Sequence, residues 1–520
     1  MSPNRALEAE SESHELQRAF STSKFRKLRC AIVVAGVLTI GACGPANALP
    51  SFARQTGQPC GACHTDFPGL TPFGRQFKLG GYTLGGGDYR TSLFPESSSS
   101  TKALASYDKA TKAGTPTKKD KDVAAADGRN NSWAPPLAVM AMMTDTHTRE
   151  PQSGLSPFKS NDNLQLAQFS VFWGGAITNN VGAFAQATYE GPPPGGAVPG
   201  DPFSTHQWHW DNVDVRYSGT AKLDGADVTY GVTANNNPTV QDLWNSTPAW
   251  SFPYVGSSVA PDPGVGAIVD GALGQTVAGA GGYVYVNNLV YAELSGYRTL
   301  DRGTLDKFGT DPFDAPVIDG VAPYWRVAVE PQWGNNWFEV GTFGMMTRVH
   351  QWMDPAGYET PTYTQTDRYT DVGFDTQYQY QGDNYWVTLR GTYIHENQML
   401  NGSVANGLAD NMSNYLNTAR IYGSLAYGDD NRVVVSGQYF DTWGSSDGTL
   451  YADLASGMSP DTSGFTVDIA YIPYINSQPP LWPWANARFG VQYTYYDKFQ
   501  GTTMKARDNN TLLLYAWLAM

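Results

Sequence analysis

The stretch Phe465-Thr466-Val467-Asp468-Ile469-Ala470-Tyr471 alternates with a period of two: Phe465, Val467, Ile469 and Tyr471 share one face, and Thr466, Asp468 and Ala470 share the other. Successive side chains of a strand point to opposite faces, so this pattern spells a β-strand with one apolar side. It recurs at Phe489, Val491, Tyr493 and Tyr495, which face away from Arg488, Gly490, Gln492 and Thr494. It returns from Tyr385 to Tyr393 with Arg390 on the polar side, from Val433 to Tyr439, and from Val213 to Tyr217 with Asp214 and Arg216 as polar partners.

A soluble β-sandwich also alternates, so length and spacing separate the two. Long segments with aromatic ends, joined alternately by short and long connections, match outer-membrane strands. Short turns stand at "TNN", "GDN" and "YGDDN", whereas Tyr254 to Gly274 and Gly402 to Ser413 are long. About 16 candidate strands fit between Pro136 and Met520, an even number of the kind closed bacterial barrels have. The last, from Leu512, ends in Met520, where such barrels usually end in an aromatic residue.

The fold predicted is all-β: a transmembrane antiparallel β-barrel over residues 133–520, preceded by a small, mostly helical or irregular domain. A closed barrel leaves no strand edge open and lets lipid cover the apolar faces. Arg216, Arg326, Arg390, Arg420 and Arg488 fall on the polar faces and are expected in the lumen, in interstrand ion pairs rather than as an ion-selectivity device.

The mean hydropathy of −0.37 excludes a bundle of membrane helices. The continuous apolar run, Ala31 to Ala42, is too short to span a bilayer as a helix. It follows Lys24, Arg26, Lys27 and Arg29 and precedes Ala46-Asn47-Ala48, which reads as an export signal over 1–48 cut after Ala48. A lipoprotein site at Ile40-Gly41-Ala42-Cys43 is the alternative. Removing the signal's six basic and four acidic residues moves the net charge from −14 to −16, which argues against a nucleic-acid partner. Only Cys60 and Cys63 then remain of four cysteines.

Those two form Cys60-Gly61-Ala62-Cys63-His64. The thiols are spaced to add to the two vinyl groups of one heme, and the adjacent imidazole then reaches the iron, which is c-type heme attachment. A zinc half-site would want two further ligands, and no Cys or His occurs between residues 65 and 146. A thioredoxin-like site would want a βαβ context that is missing. Thr71-Pro72 reads as a helix N-cap with proline in the first helical position, and Phe73 and Phe77 share one face of the helix. Leu70, Leu79 and Tyr82 extend that apolar wall. Arg75 and Lys78 are expected either at the heme propionates or as solvated surface charges.

Between Leu49 and Val139 there is no methionine and no histidine except His64. The heme segment, 49–95, therefore lacks a sixth iron ligand of the usual kinds. The iron is either open or ligated from the next region, where Met140, Met142, Met143 and His147 are the nearest candidates; methionines in strands otherwise serve packing. Residues 96–132 are polar and of low complexity, a linker or insertion.

"LPSFARQTGQPCGACH" followed by "FPGLTPFGRQFKLGGYTL", then a barrel-length β region containing "NNNPTVQDLWNSTPAWSFPY" from Asn235 to Tyr254, resembles the fused monoheme cytochrome and porin of the outer membrane of iron-oxidising bacteria. The resemblance implies one covalent heme c, with Cys60 and Cys63 carrying the thioethers and His64 as proximal ligand. It also implies an oxidoreductase that takes electrons from extracellular Fe(II) and delivers them to periplasmic c-type cytochromes. Two other readings stay open at this point: the same conduit with a different extracellular donor, and a porin whose heme segment gates or senses. A peroxidase-like enzyme would want a distal His and Arg pair, which the small domain lacks.

Overall fold

The computed structural model describes residues 50–83, 136–150, 163–190, 208–261, 263–310, 315–353, 360–476 and 484–520. The expected signal at 1–48, the end of the heme segment at 84–95 and the linker at 96–132 lie outside the described residues.

The barrel strands follow in chain order: β1 Leu137–Thr148, β2 Asn163–Ala176, β3 Val181–Tyr189, β4 Trp208–Leu223, β5 Ala226–Asn235, β6 Val277–Val286, β7 Val290–Thr299 and β8 Ala322–Val329. Then come β9 Asn336–Met353, β10 Thr360–Gln381, β11 Tyr385–Met399, β12 Ser413–Tyr427, β13 Arg432–Gly444, β14 Thr462–Ile472, β15 Asn486–Lys498 and β16 Thr511–Ala519. Two further pieces of two residues each, Val317–Ile318 and Gln332–Trp333, prolong β8 along β9. Each strand pairs antiparallel with its neighbour in sequence, and β1 pairs with β16 from Met140↔Ala519 to Thr148↔Thr511, so the sixteen strands close.

The opening stretch shows why the sequence demands this. Phe465, Val467, Ile469 and Tyr471 are exposed while Thr466, Asp468 and Ala470 are buried. Ile469 is 58% exposed and Asp468 2%, an inversion that a water-soluble sheet would not survive. Lipid satisfies the outer face, and the closed ladder pairs the strands' backbones with one another. Aromatic side chains ring the outside near both rims, Trp208, Tyr415 and Phe465 at one and Trp333, Tyr427 and Tyr471 at the other, the girdles of an outer-membrane barrel.

Connections at one rim are short. Between β4 and β5 it is Asp224-Gly225, both at positive φ (48° and 83°), the tight hairpin that favours right-handed strand twist. The three short turns read from sequence fall at this rim as well, at 177–180, 382–384 and 428–431. Long connections gather at the opposite rim, so the short-turn rim is the periplasmic one.

The longest of these, 236–276, folds inward rather than out. It leaves β5 and is fastened to the far wall. Ile268 N donates to Glu396 Oε2 at 2.6 Å, Val269 N to Asp371 Oδ2 at 2.9 Å, and Arg420 Nη1 to Asp270 Oδ1 at 3.0 Å. The expected lumen arginines are there: Arg326 and Arg488 make the interstrand ion pairs, Arg216 pairs with Asp214 of its own strand, and Arg420 reaches Asp270 of the inward-folded connection. Arg326 meets Asp375 of β10 at 2.7 Å and Glu339 of β9 at 3.2 Å, and also Asp242 of the loop at 3.3 Å.

Candidate functional site

Residues 50–83 sit within the barrel. They form α1 Pro50–Thr56, α2 Cys60–Cys63 and α3 Pro72–Leu79. Thr71 caps α3 as its sequence dictates, its Oγ1 accepting from Gly74 N at 3.2 Å, with Pro72 in the first turn where its missing N–H costs nothing. The same threonine binds the motif: Thr71 N donates to Cys63 O at 2.9 Å and Thr71 Oγ1 to Ala62 O at 2.5 Å. His64 follows directly, its N–H on Cys60 O at 2.9 Å and its ring edge-on to Phe67 at 5.0 Å.

The barrel wall holds this segment from many sides. Gly61 N donates to Ile475 O at 2.7 Å. Arg432, at the start of β13, donates to His64 O at 3.1 Å and to Thr65 O at 2.7 Å. Arg488 of β15 donates to Phe67 O and pairs with Asp468 at 2.8 Å. Tyr82 Oη donates to Asp214 of β4 at 2.6 Å, and Tyr283 Oη to Leu79 O at 2.6 Å. Arg216 joins both inward segments, donating to Lys78 O at 3.4 Å and Gln241 O at 2.7 Å.

Arg75 and Lys78 correct the sequence expectation of solvated charge, since both are buried. Arg75 pairs with Glu330 and Gln379 of the wall. Lys78 Nζ donates to Val240 O at 2.7 Å and Asp242 O at 2.6 Å and lies 4.7 Å over the Trp250 ring. Their partners lie hundreds of residues away, in segments that nothing local to α3 announces.

A cavity of about 370 Å³ opens where the segment, the wall and the loop meet, within the ~300–1,000 Å³ range of small-molecule and cofactor sites. Cys60, Cys63 and His64 all line it, with Phe52, Phe67, Phe77 and Tyr82 from the segment. Phe172, Phe184 and Trp517 face them from the wall, and Trp250 from the loop. Phe52 stacks on Tyr82 at 5.7 Å and meets Phe77 edge-on at 5.2 Å, while Phe184 meets Trp250 at 5.9 Å. Of the predicted apolar wall, Leu70, Phe77 and Tyr82 reach the cavity; Leu79 packs instead against Leu243 and Trp244.

The sequence candidates for a further ligand divide. Met140 and Met142 are buried and line the same cavity as His64. Met143 is 44% exposed on the lipid side, and His147 shares its strand parity, so neither faces the cavity. Parity along β1 is the signal that separates the two pairs.

The residues fit a covalently attached heme. The two cysteines are free thiols beside an apolar hollow. Burial pushes both thiols up to about 12 and the His64 imidazole down to about 4, so the imidazole is neutral, as an iron ligand must be. His64 Nδ1 is buried and has no hydrogen-bond partner.

No family model matches the chain, and no curated protein matches it. Among solved structures it is similar to OmpT of Vibrio cholerae lacking loop L8, at 11% identity over 74% of this chain and 98% of that one, with a TM-score of 0.39. The outer membrane channel DcaP of Acinetobacter baumannii is similar at 12% identity over 74% and 96%, with a TM-score of 0.38. OprB of Pseudomonas putida is similar at 9% identity over 74% and 92%, with a TM-score of 0.40.

Proposed function

We propose that this outer-membrane barrel is an electron conduit. It oxidises extracellular Fe(II) to Fe(III) and delivers the electron to a periplasmic c-type cytochrome or another acceptor, by way of one covalently bound heme c. The observation that carries the reading is that Cys60, Cys63 and His64 converge on one apolar cavity inside the barrel.

A bound heme c supplies an iron that changes by one electron between its ferric and ferrous states. The chain supplies the rest. Cys60 and Cys63 offer the two thioether positions and His64 the proximal nitrogen. Phe67, Phe77, Phe172 and Trp517 give the site an apolar lining, and such a lining together with buried charge sets a redox centre's potential. The hydrocarbon layer is about 25 Å tall in such barrels, and a carrier held in the lumen bridges it. A net charge of −14 favours approach of cations over anions, which bears on rate alone.

Solute diffusion fits less well, because residues 50–83 and 236–276 both occupy the lumen. The test uses the heme-loaded protein in outer membranes, with Fe(II) added under anoxia. The ferric heme band should convert to the ferrous one; no conversion at either acidic or neutral pH rules out Fe(II) oxidation.

A further inference from the structure

We infer that the barrel wall itself supplies the sixth iron ligand, through the thioether sulfur of Met142. The inference rests on the heme reading above and asks which side chain of this chain reaches the other face of the metal.

The cavity answers largely by exclusion. Lys78 has its Nζ committed to two backbone carbonyls, at 2.7 and 2.6 Å. Tyr82 donates to Asp214 at 2.6 Å, and Tyr254 accepts from Arg390 Nη1 at 2.6 Å. Asp211 accepts from Thr188 and Gln275, at 3.1 and 3.2 Å. Beyond the motif itself, the lining leaves two soft donors whose chemistry suits heme iron, Met140 and Met142.

Strand register chooses between them. Met142 pairs with Trp517 of β16 and with Gln168 of β2, and both partners line the cavity. Met140 pairs with Ala519, which lines it, and with Ser170, which does not. The β1–β2 register also shifts immediately after Met142. The extra residue is Ala167 of β2, so alternation along β1 is unbroken and Met142 keeps its inward face, while bulges of this kind gather beside active sites. An unbranched thioether on a rigid wall strand can reach into the hollow without disturbing the barrel.

Conservative variants test it in the heme-loaded protein. Wild type should show the methionine-to-iron charge-transfer band in its ferric spectrum. Met142→Leu should lose it and leave an iron that takes up added imidazole, while Met140→Leu keeps it. Met142→His should restore a six-coordinate, low-spin spectrum without that band, which separates ligand loss from misfolding; heat-modifiable migration on gels checks the barrel in each case. A wild type without the band, a band that survives Met142→Leu, or a band lost in Met140→Leu alone overturns the assignment. The mass of the denatured chain reads covalent heme separately. Its absence from wild type overturns the heme reading and this inference together, whereas covalent heme with a band indifferent to Met142 overturns this inference alone.

Discussion

Gly74 sits where α3 crosses Cys60–His64, and a Cβ there would lie 2.2 Å from the Cys63 carbonyl oxygen and 3.1 Å from its Cα. Both atoms belong to backbone, so the helix must yield. Overpacking of this kind costs about 1–3 kcal/mol. Gly74→Ala should therefore lift α3 from Cys63 and lower covalent heme per barrel, measured by mass spectrometry, while gel migration of the barrel stays unchanged. At this scale the sequence is legible where chemistry sets the spacing, as at Cys60, Cys63 and His64. It is less legible at Met140, Met142, Met143 and His147, four neighbours that only strand parity sorts. It misleads at Arg75 and Lys78, whose local surroundings look solvated and whose partners, Glu330 and Val240 among them, arrive from distant strands and loops.

Among the elements, 236–276 owes its path to charge rather than to propensity. Asp242 accepts from the backbone N–H groups of Trp244, Ser246 and Thr247, at 3.1, 2.9 and 3.1 Å, and so makes a compact knot that Arg326 then ties to the wall. Removing the cation would leave Asp242, Glu339 and Asp375 facing one another, all buried. Breaking a buried pair by deleting one partner costs about 3–5 kcal/mol. Arg326→Met should make the loop susceptible to protease added from outside, with cleavage mapping between residues 236 and 276. From sequence, a long connection is legible from Tyr254 to Gly274, and the structure starts it earlier, directly after Asn235. Its inward course is illegible, because the groups that fix it, Asp371, Glu396 and Arg420, are spread over three strands of the opposite wall.

For the whole molecule, alternation gives the strands, and their length together with alternately short and long connections gives the barrel. Phe465 to Tyr471 is apolar outward and polar inward, and the same arithmetic repeated around the sheet leaves closure as the one arrangement without an open edge. The filled lumen is less visible, since it depends on contacts between the two inward segments and almost every strand. The barrel and the inserted segment 50–83 should nonetheless separate in a test of stability. Strand pairing and lipid-facing area hold the wall, so Cys63→Ala is expected to assemble as a heat-modifiable barrel with covalent heme lost. Planar-bilayer recordings of both proteins should show no large steady conductance, because polypeptide rather than heme occupies the bore.

The hold of Arg432 and Arg488 on residues 64–67 also has a meaning in time. Those contacts join positions 368 and 421 residues apart, among the most distant pairings in the chain, and such pairings form late and slowly. The motif lies near the beginning of the described chain, yet its seat is finished only when β13 and β15 take their places.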